Sequence, residues 1–446
     1  MAHLLSQRFG LRLALQVGAL VAALLWSALA HAALPIEHWT TSRGARVVFV
    51  RADAISMLDI NMAFDAGSRL DPPGKAGLAS WVVGMLGRGI EGLDEAAIAE
   101  RLADLGALRS GAADDDRAGV GMRMLASPRE RDAAVDLLAR LVSHPTFPQQ
   151  LLERERERSL QSLKESLTKP EVIAGRAFYP RVFGSHPYGV IQTADALQSI
   201  NREDLVRFHR ERFGPAGVVI SMVGAISRAQ AESIAERLVR DLPQGEAAPA
   251  LPAVVAPVAS EQRIAHPASQ SHILIGTTAI ARDDPDFFPL FVGNYILGGG
   301  GFVSRLTDEI REKRGLSYSV SSGFSPQMQP GQFVISLQTR KEQTDEALKV
   351  VLETLRQFVT DGPTAKELEA ARSNLVGGFA LRIDSNGKIL SNLANIGWYR
   401  LPLDYLERWT QRVEAVTAQQ IRAAFARHLQ PERLVTVVVG AGPSTP

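Results

Sequence analysis

The chain has 446 residues, enough at roughly 100–200 residues per domain for two to four domains with real cores. Its 49 basic and 48 acidic residues nearly cancel, which excludes a strong overall field drawing nucleic acid or an anionic membrane surface to it. It contains no cysteine, which excludes disulfides, thiolate zinc sites and a cysteine nucleophile.

Residues 1–32 read as an export signal. Arg8 and Arg12 give a positive start, an apolar run from Leu13 to Leu29 follows, and Ala30-His31-Ala32 supplies small residues at the two positions a signal peptidase reads. Cleavage is expected after Ala32, leaving an exported, periplasmic and soluble protein. An uncleaved anchor is the alternative, because the run approaches the roughly 18–20 residues of a spanning helix. No later segment is that long and apolar, so no stable membrane insertion is expected after cleavage.

Val47–Val50 and Met57–Phe64 read as adjacent strands. Helices are predicted over Gly77–Leu86 and Leu93–Leu105, a strand over Val120–Leu125, and helices over Arg129–Leu141 and Leu151–Leu167. The second half reads as a strand at Ile273–Thr277 and helices at Phe287–Leu297 and Val303–Arg314. Strands at Tyr318–Phe324 and Phe333–Thr339 and a helix at Glu346–Thr360 complete it. Grouped strands and helices without strict alternation imply an α+β fold.

The two halves share one plan. Ile200 and Val416 precede capped helices, Pro215 and Pro431 follow them, and β-branched strands then end at Gly224 and Gly440. A single offset relates all three pairs, which argues for duplication where one match would not. Two homologous α/β sandwich domains are expected, each a mostly antiparallel sheet packed with helices. They would span residues 33–242 and 263–446. Residues 243–262, rich in proline and alanine, read as an extended linker where a hinge would lie.

Several motifs carry a resemblance: Phe64-Asp65-Ala66-Gly67-Ser68-Arg69 leading to Gly77-Leu78-Ala79, His186-Pro187-Tyr188-Gly189, and Ser304-Arg305-Leu306 through Arg311 to Gly315-Leu316-Ser317-Tyr318. In this order and spacing the chain resembles the pitrilysin/insulinase family of zinc peptidases. The nearer likeness is to its half-size branch, which includes the mitochondrial processing peptidase subunits. In active members Gly-Leu-Ala leads into a helix bearing His-x-x-Glu-His. Two histidines four residues apart share a helix face and hold zinc, and the glutamate is general base. Here Ser80, Val83 and Gly84 stand at those three positions. The family's third ligand, a glutamate, should fall near Gln161 or Ser162, and neither is a carboxylate. Glu155, Glu157 and Glu165 read as a solvated helix face.

The remaining histidines, His38, His144, His186, His209, His266, His272 and His428, form no i,i+4 pair and read as structural or surface residues. His209 and His428 lie near helix ends, where a cation favours the dipole. No Gly-x-Ser-x-Gly elbow or phosphate loop is present; Gly298-Gly299-Gly300-Gly301 lacks the following Lys-Ser/Thr.

The resemblance also implies a retained pair. Arg311 and Tyr318 match the family's Arg/Tyr motif, which binds the substrate carbonyl and its developing oxyanion. Gly315 should end the Arg311 helix and start a strand near Leu316. Read singly, Arg311 is a helix-end charge and Tyr318 a strand filler. Gly299 and Gly300 would let backbone approach substrate. Arg109 and Ser110 lie on a strand able to add a peptide at its edge. Asp114-Asp115-Asp116 read first as a solvated turn and second as a determinant for basic peptides.

The resemblance therefore implies a non-zinc-binding, substrate-binding subunit that is inactive alone. It binds no cofactor and completes in trans the site of a zinc-bearing sister subunit. Substrates would be peptides or small unfolded proteins, with no nucleic acid. The alternatives are a non-catalytic scaffold of the same fold and an autonomous hydrolase with an atypical metal site.

Overall fold

The structure, a computed structural model, describes residues 35–441. The export signal and its cleavage point lie outside the described residues. No helix among them is long and apolar enough to cross a membrane.

The strands run in chain order: β1 (Glu37–Thr40), β2 (Arg46–Arg51), β3 (Met57–Phe64), β4 (Gly89–Ile90), β5 (Leu93–Asp94), β6 (Leu108–Ala113), β7 (Ala118–Leu125), β8 (Val218–Gly224), β9 (Ser260–Ala265), β10 (Gln270–Thr278), β11 (Val320–Ser325), β12 (Gln332–Arg340) and β13 (Val435–Gly440). One sheet has the order β1-β2-β8-β3-β7-β6 and the other β11-β12-β10-β13-β9. Without β1 the two orders are the same. Each has one parallel pair, β2 with β8 and β9 with β13, and is otherwise antiparallel. The fold is α+β and mostly antiparallel, as the grouping of elements implies.

The helices Arg202–Arg212 and Ala418–His428 hold equivalent places in the two halves, and each opens with a capping box, Asn201 with Asp204 and Thr417 with Gln420. The turns Pro215–Gly217 and Pro431–Arg433 repeat the same offset. One expectation fails: β2 and β3 are not adjacent, because β8 lies between them. β8 is apolar at nearly every position, and a strand buried on both faces belongs inside a sheet.

The halves exchange helices. The helix Pro170–Phe183, which precedes the linker, packs on β10 and β13 of the second sheet. Its counterpart at the same offset, the helix Asn386–Trp398, packs on β2, β3 and β8 of the first. Glycines permit both contacts. A Cβ on Gly276 would lie 3.0 Å from the Phe178 ring, and one on Gly397 would lie 2.6 Å from Val219 Cγ1. Ala174, Phe178, Val182, Phe183 and Tyr188 thus form one buried cluster with Val435, Val437 and Val439. The linker is no hinge, because the halves it joins are interlocked. Leu251 and Val254 pack against that shared cluster, and His186 Nε2 lies 3.1 Å from the Pro252 carbonyl oxygen.

Phe178 is fully buried across this junction. Phe178→Ala should cost about 3–5 kcal/mol, as for other buried phenylalanines. Scanning calorimetry should show one transition in both proteins, lowered in the variant; two separated transitions in the variant would contradict an interlocked chain.

His209 departs from its expected role. It is buried, stacks on Phe213 with centroids 5.0 Å apart, and donates from Nε2 to the Val142 carbonyl at 2.7 Å. Burial holds its pKa down at about 4, so it is neutral and no helix-end cation. A depressed pKa gives stability that is present above pH 6.5 and lost as pH falls through about 4. Between these limits the group should cost about 3 kcal/mol. Urea titrations at pH 7 and pH 4.5 should therefore show a smaller acid loss in His209→Gln, whose amide can still donate to Val142.

Candidate functional site

The helix Leu78–Met85 starts at Gly77, whose φ of 104° suits glycine. Asp71 caps it, accepting from Gly77 N at 2.7 Å and Ala79 N at 2.8 Å. Burial raises the Asp71 pKa to about 6, against the pull of these N–H bonds. Ser80 and Gly84 are exposed on this helix, and Val83 is buried. Arg109, on the edge strand β6, donates from Nη2 to the Val83 carbonyl at 2.6 Å. Its Nε is buried without a partner, and burial and Arg88 lower its pKa.

These residues do not fit a zinc ion. The three positions offer one hydroxyl, a methyl-branched side chain and no side chain at all. A guanidinium lies against the same helix, and a second cation there would be repelled. Gln161 and Ser162 are exposed on the helix Gln149–Ser166, and the Gln161 amide donates to Glu165 at 2.7 Å. Glu155 is more than a solvated charge: it joins Arg88, Arg154 and Arg158 in an ion-pair network that also holds Glu95.

One spatial cluster escaped the sequence. Asp284, Asp286 and His428 bring ligand-type atoms within 4.8 Å of one another. Their separation along the chain hid this. Arg427 binds both oxygens of Asp286 at 2.7 Å, so a guanidinium already neutralises that carboxylate.

Arg109 and Ser110 lie on β6, which closes one end of its sheet and has an unpaired outer edge. Its residues are mostly exposed, including Leu108 at 67%. That edge can accept a peptide strand.

In the second half, the stretch expected as one helix over Val303–Arg314 is a broken series. It holds the end of a 3-10 turn, Gly301–Val303, an α turn, Arg305–Thr307, and a π-helix, Asp308–Glu312; a further π-helix, Tyr295–Gly299, precedes it at the end of the helix expected over Phe287–Leu297. Ser304 caps the α turn and is buried. Arg305 binds both oxygens of Glu367, through Nε and Nη2, and Nη2 also donates to the Gly362 carbonyl. Against the cost of burial, these contacts hold the Glu367 pKa down at about 2. The Ser304-Arg305-Leu306 motif is therefore a structural anchor.

Gly298 is packed against Ser322, and Gly299 and Gly300 against Asn294 and Tyr295, so these glycines are close-packed. Gly301, at φ 62°, makes the turn. Gly315, at φ 61°, ends the Arg311 segment as expected, with its N–H bonded to the Arg311 carbonyl. The strand starts later than expected, at Val320, so Tyr318 stands on the connecting loop. Tyr318 is 88% exposed. Arg311 lies over the ring of Phe302 at 4.6 Å, and Phe302 and Val303 are 71% and 72% exposed. Arg311 thus belongs to an open patch with these apolar side chains.

The acidic triplet is not a solvated turn. Only Asp114 is exposed, where it pairs with Arg117. Asp115 accepts from Gln327 Nε2 at 2.6 Å and Ser68 Oγ at 3.1 Å. Asp116 accepts from the Tyr188 hydroxyl at 2.5 Å and Met328 N at 2.9 Å, with Arg69 at 3.7 Å. Burial raises the Asp116 pKa, and burial together with Asp116 raises that of Tyr188. These contacts consume the Phe64–Arg69 and His186–Gly189 motifs in joining the halves.

Comparison with known proteins agrees with this architecture. Residues 46–189 match the family model "Insulinase (Peptidase family M16)", and residues 199–375 match "Peptidase M16 inactive domain". The solved structure of a peptidase M16 inactive domain from Pseudomonas fluorescens superposes with a TM-score of 0.88 at 36% identity, over 92% of this chain and 99% of that one. An uncharacterized zinc protease of Mycobacterium leprae is 27% identical over 421 residues, 90% of this chain and 91% of the relative. The non-peptidase homolog YmxG of Helicobacter pylori is 23% identical over 399 residues, 88% of this chain and 91% of the relative. With a family model on each half and a solved relative matched over nearly its whole length, the chain belongs to peptidase family M16, the insulinase family.

Proposed function

We propose that this chain is the zinc-free, substrate-holding subunit of an M16-type metallopeptidase, exported to the periplasm and completed by a zinc-bearing sister chain. One observation carries the reading. The helix that would bear the metal has no ligands, while Tyr318 is 88% exposed and Arg311 lies over Phe302 in an open patch with Val303. An exposed phenol hydroxyl can hydrogen-bond a carbonyl presented from outside the chain, and the Arg311 guanidinium, whose Nε lies 3.5 Å from Glu312, has its remaining N–H groups to stabilise the charge that develops on its oxygen. The exposed phenylalanine and valine suit burial against a protein surface. The free edge of β6 supplies a second grip, with Arg109 and Ser110 beside an extended peptide.

A second reading, a peptide-binding scaffold without any peptidase partner, is favoured by the name of the Helicobacter pylori relative, a non-peptidase homolog.

The experiment mixes the purified chain with the zinc-bearing M16 chain of the same organism and follows cleavage of an unfolded peptide. The mixture should exceed either chain alone. Arg311→Ala and Tyr318→Phe should each lower kcat by about 10²–10³, the size of one oxyanion donor. Complex formation without cleavage would support the scaffold, and full activity in both variants would remove Arg311 and Tyr318 from the mechanism.

A further inference from the structure

We propose that a cleft in the second half binds a carboxylate carried on an aromatic or alkyl body. The cleft opens between the helices Phe287–Asn294 and Asn386–Trp398, the turn Phe379–Arg382 and the segment 399–409. Its volume, ≈ 710 Å³, is in the range of a small-molecule site.

Its chemistry is one-sided. Arg117, Arg282, Arg382 and Lys388 line it, and no carboxylate does. Arg117 is paired with Asp114 and Lys388 with Asp384, both outside the lining. Arg282 and Arg382 have no carboxylate partner among the described residues. Each is held in place by aromatic rings instead. Arg382 lies 5.1 Å from the Trp409 ring centroid and 5.5 Å from that of Phe291. Arg282 lies 3.9 Å from the Phe287 centroid and donates to the Tyr405 hydroxyl at 2.8 Å. Nη1 of Arg117 is buried without a partner.

Cations fixed by stacking lose little freedom when they bind, and the planar fork of arginine matches a carboxylate. One wall is aromatic: Phe379 stacks on Trp409 at 5.0 Å, and Phe291 meets Trp409 edge-on at 5.7 Å, while Ser391, Asn392 and Asn395 add neutral polar groups elsewhere in the lining. A bare inorganic anion would leave that wall wet, and a neutral ligand would leave the guanidiniums unpaired. A singly charged acid with an apolar body satisfies both. A small metabolite and the free C-terminus of a peptide ending in an aromatic residue share this chemistry.

Calorimetric titration of the full chain tests the site with 4-phenylbutyrate, its neutral amide, inorganic phosphate and the free acid of Ala-Ala-Ala-Phe. The acid should bind, and the amide should bind about tenfold more weakly or worse, the loss of one charge-assisted contact. Phosphate should bind more weakly than the acid. Arg382→Gln, at an exposed position where the guanidinium meets ring faces and no carboxylate among the described residues, should weaken the acid about tenfold. Arg408→Gln, outside the cleft, should not. Tighter binding of the tetrapeptide than of phenylbutyrate supports a peptide end as occupant, and the reverse order supports a small molecule. Equal affinity for acid and amide, unchanged affinity in Arg382→Gln, phosphate binding as tightly as the acid, or no binding of either carboxylate overturns the proposal.

Discussion

Asp116 is 1% exposed, and the joining of the two halves turns on how its charge is satisfied. A buried carboxylate is costly unless its oxygens are hydrogen-bonded, and removing one partner leaves that cost uncovered. Here the partners come from three distant parts of the chain: Arg69 after β3, Tyr188 before the linker and Met328 between β11 and β12. Oδ1 is met by Tyr188 and Arg69 within the first half, and Oδ2 is met only by Met328 of the second, so both oxygens are satisfied only when the halves are together. The exchanged helices add apolar area to the same junction, because Tyr188 belongs both to this polar hub and to the cluster around Phe178. Polar and apolar terms reinforce each other at one place, so the described halves act as one body.

Much of the fold was legible because duplication writes itself twice. A capped helix, a proline turn and a β-branched strand ending in glycine recur at one offset, and the structure places them at equivalent positions. The helix exchange was not legible. Pro180 sits inside one exchanged helix, and Gly387 and Gly397 inside the other, which breaks the periodic signal. Periodicity also reports that a face is buried without reporting against which sheet. The same limit explains the acidic triplet. Three consecutive aspartates look solvated in sequence, and the distant Gln327 and Met328 help leave Asp115 half-buried and Asp116 buried.

The site was legible in part. That Ser80, Val83 and Gly84 offer no set of zinc ligands is visible from residue type alone. What sequence could not show is that Arg109 reaches back to the Val83 carbonyl, 26 residues away. The misfit to a metal therefore goes beyond three side chains. Restoring histidines and a glutamate would still leave a guanidinium beside the intended metal, and its charge would oppose the ion.

The two halves thus share a topology and differ in what they present around their edge strands. β6 and β11 occupy matching ends of matching sheets. Beside β6 the helix is intact and its face carries an inward-held arginine. Leading to β11, the corresponding stretch is broken by two π-helical segments, and Tyr318 is left on an open loop. A π-helical turn gives up regular packing and is retained most often where function uses the displaced residue. Arg311 lies within one such turn. The regular half presents no metal ligand at Ser80, Val83 or Gly84, and the irregular half presents an exposed phenol and a guanidinium, so the two edges differ in chemistry as well as in regularity.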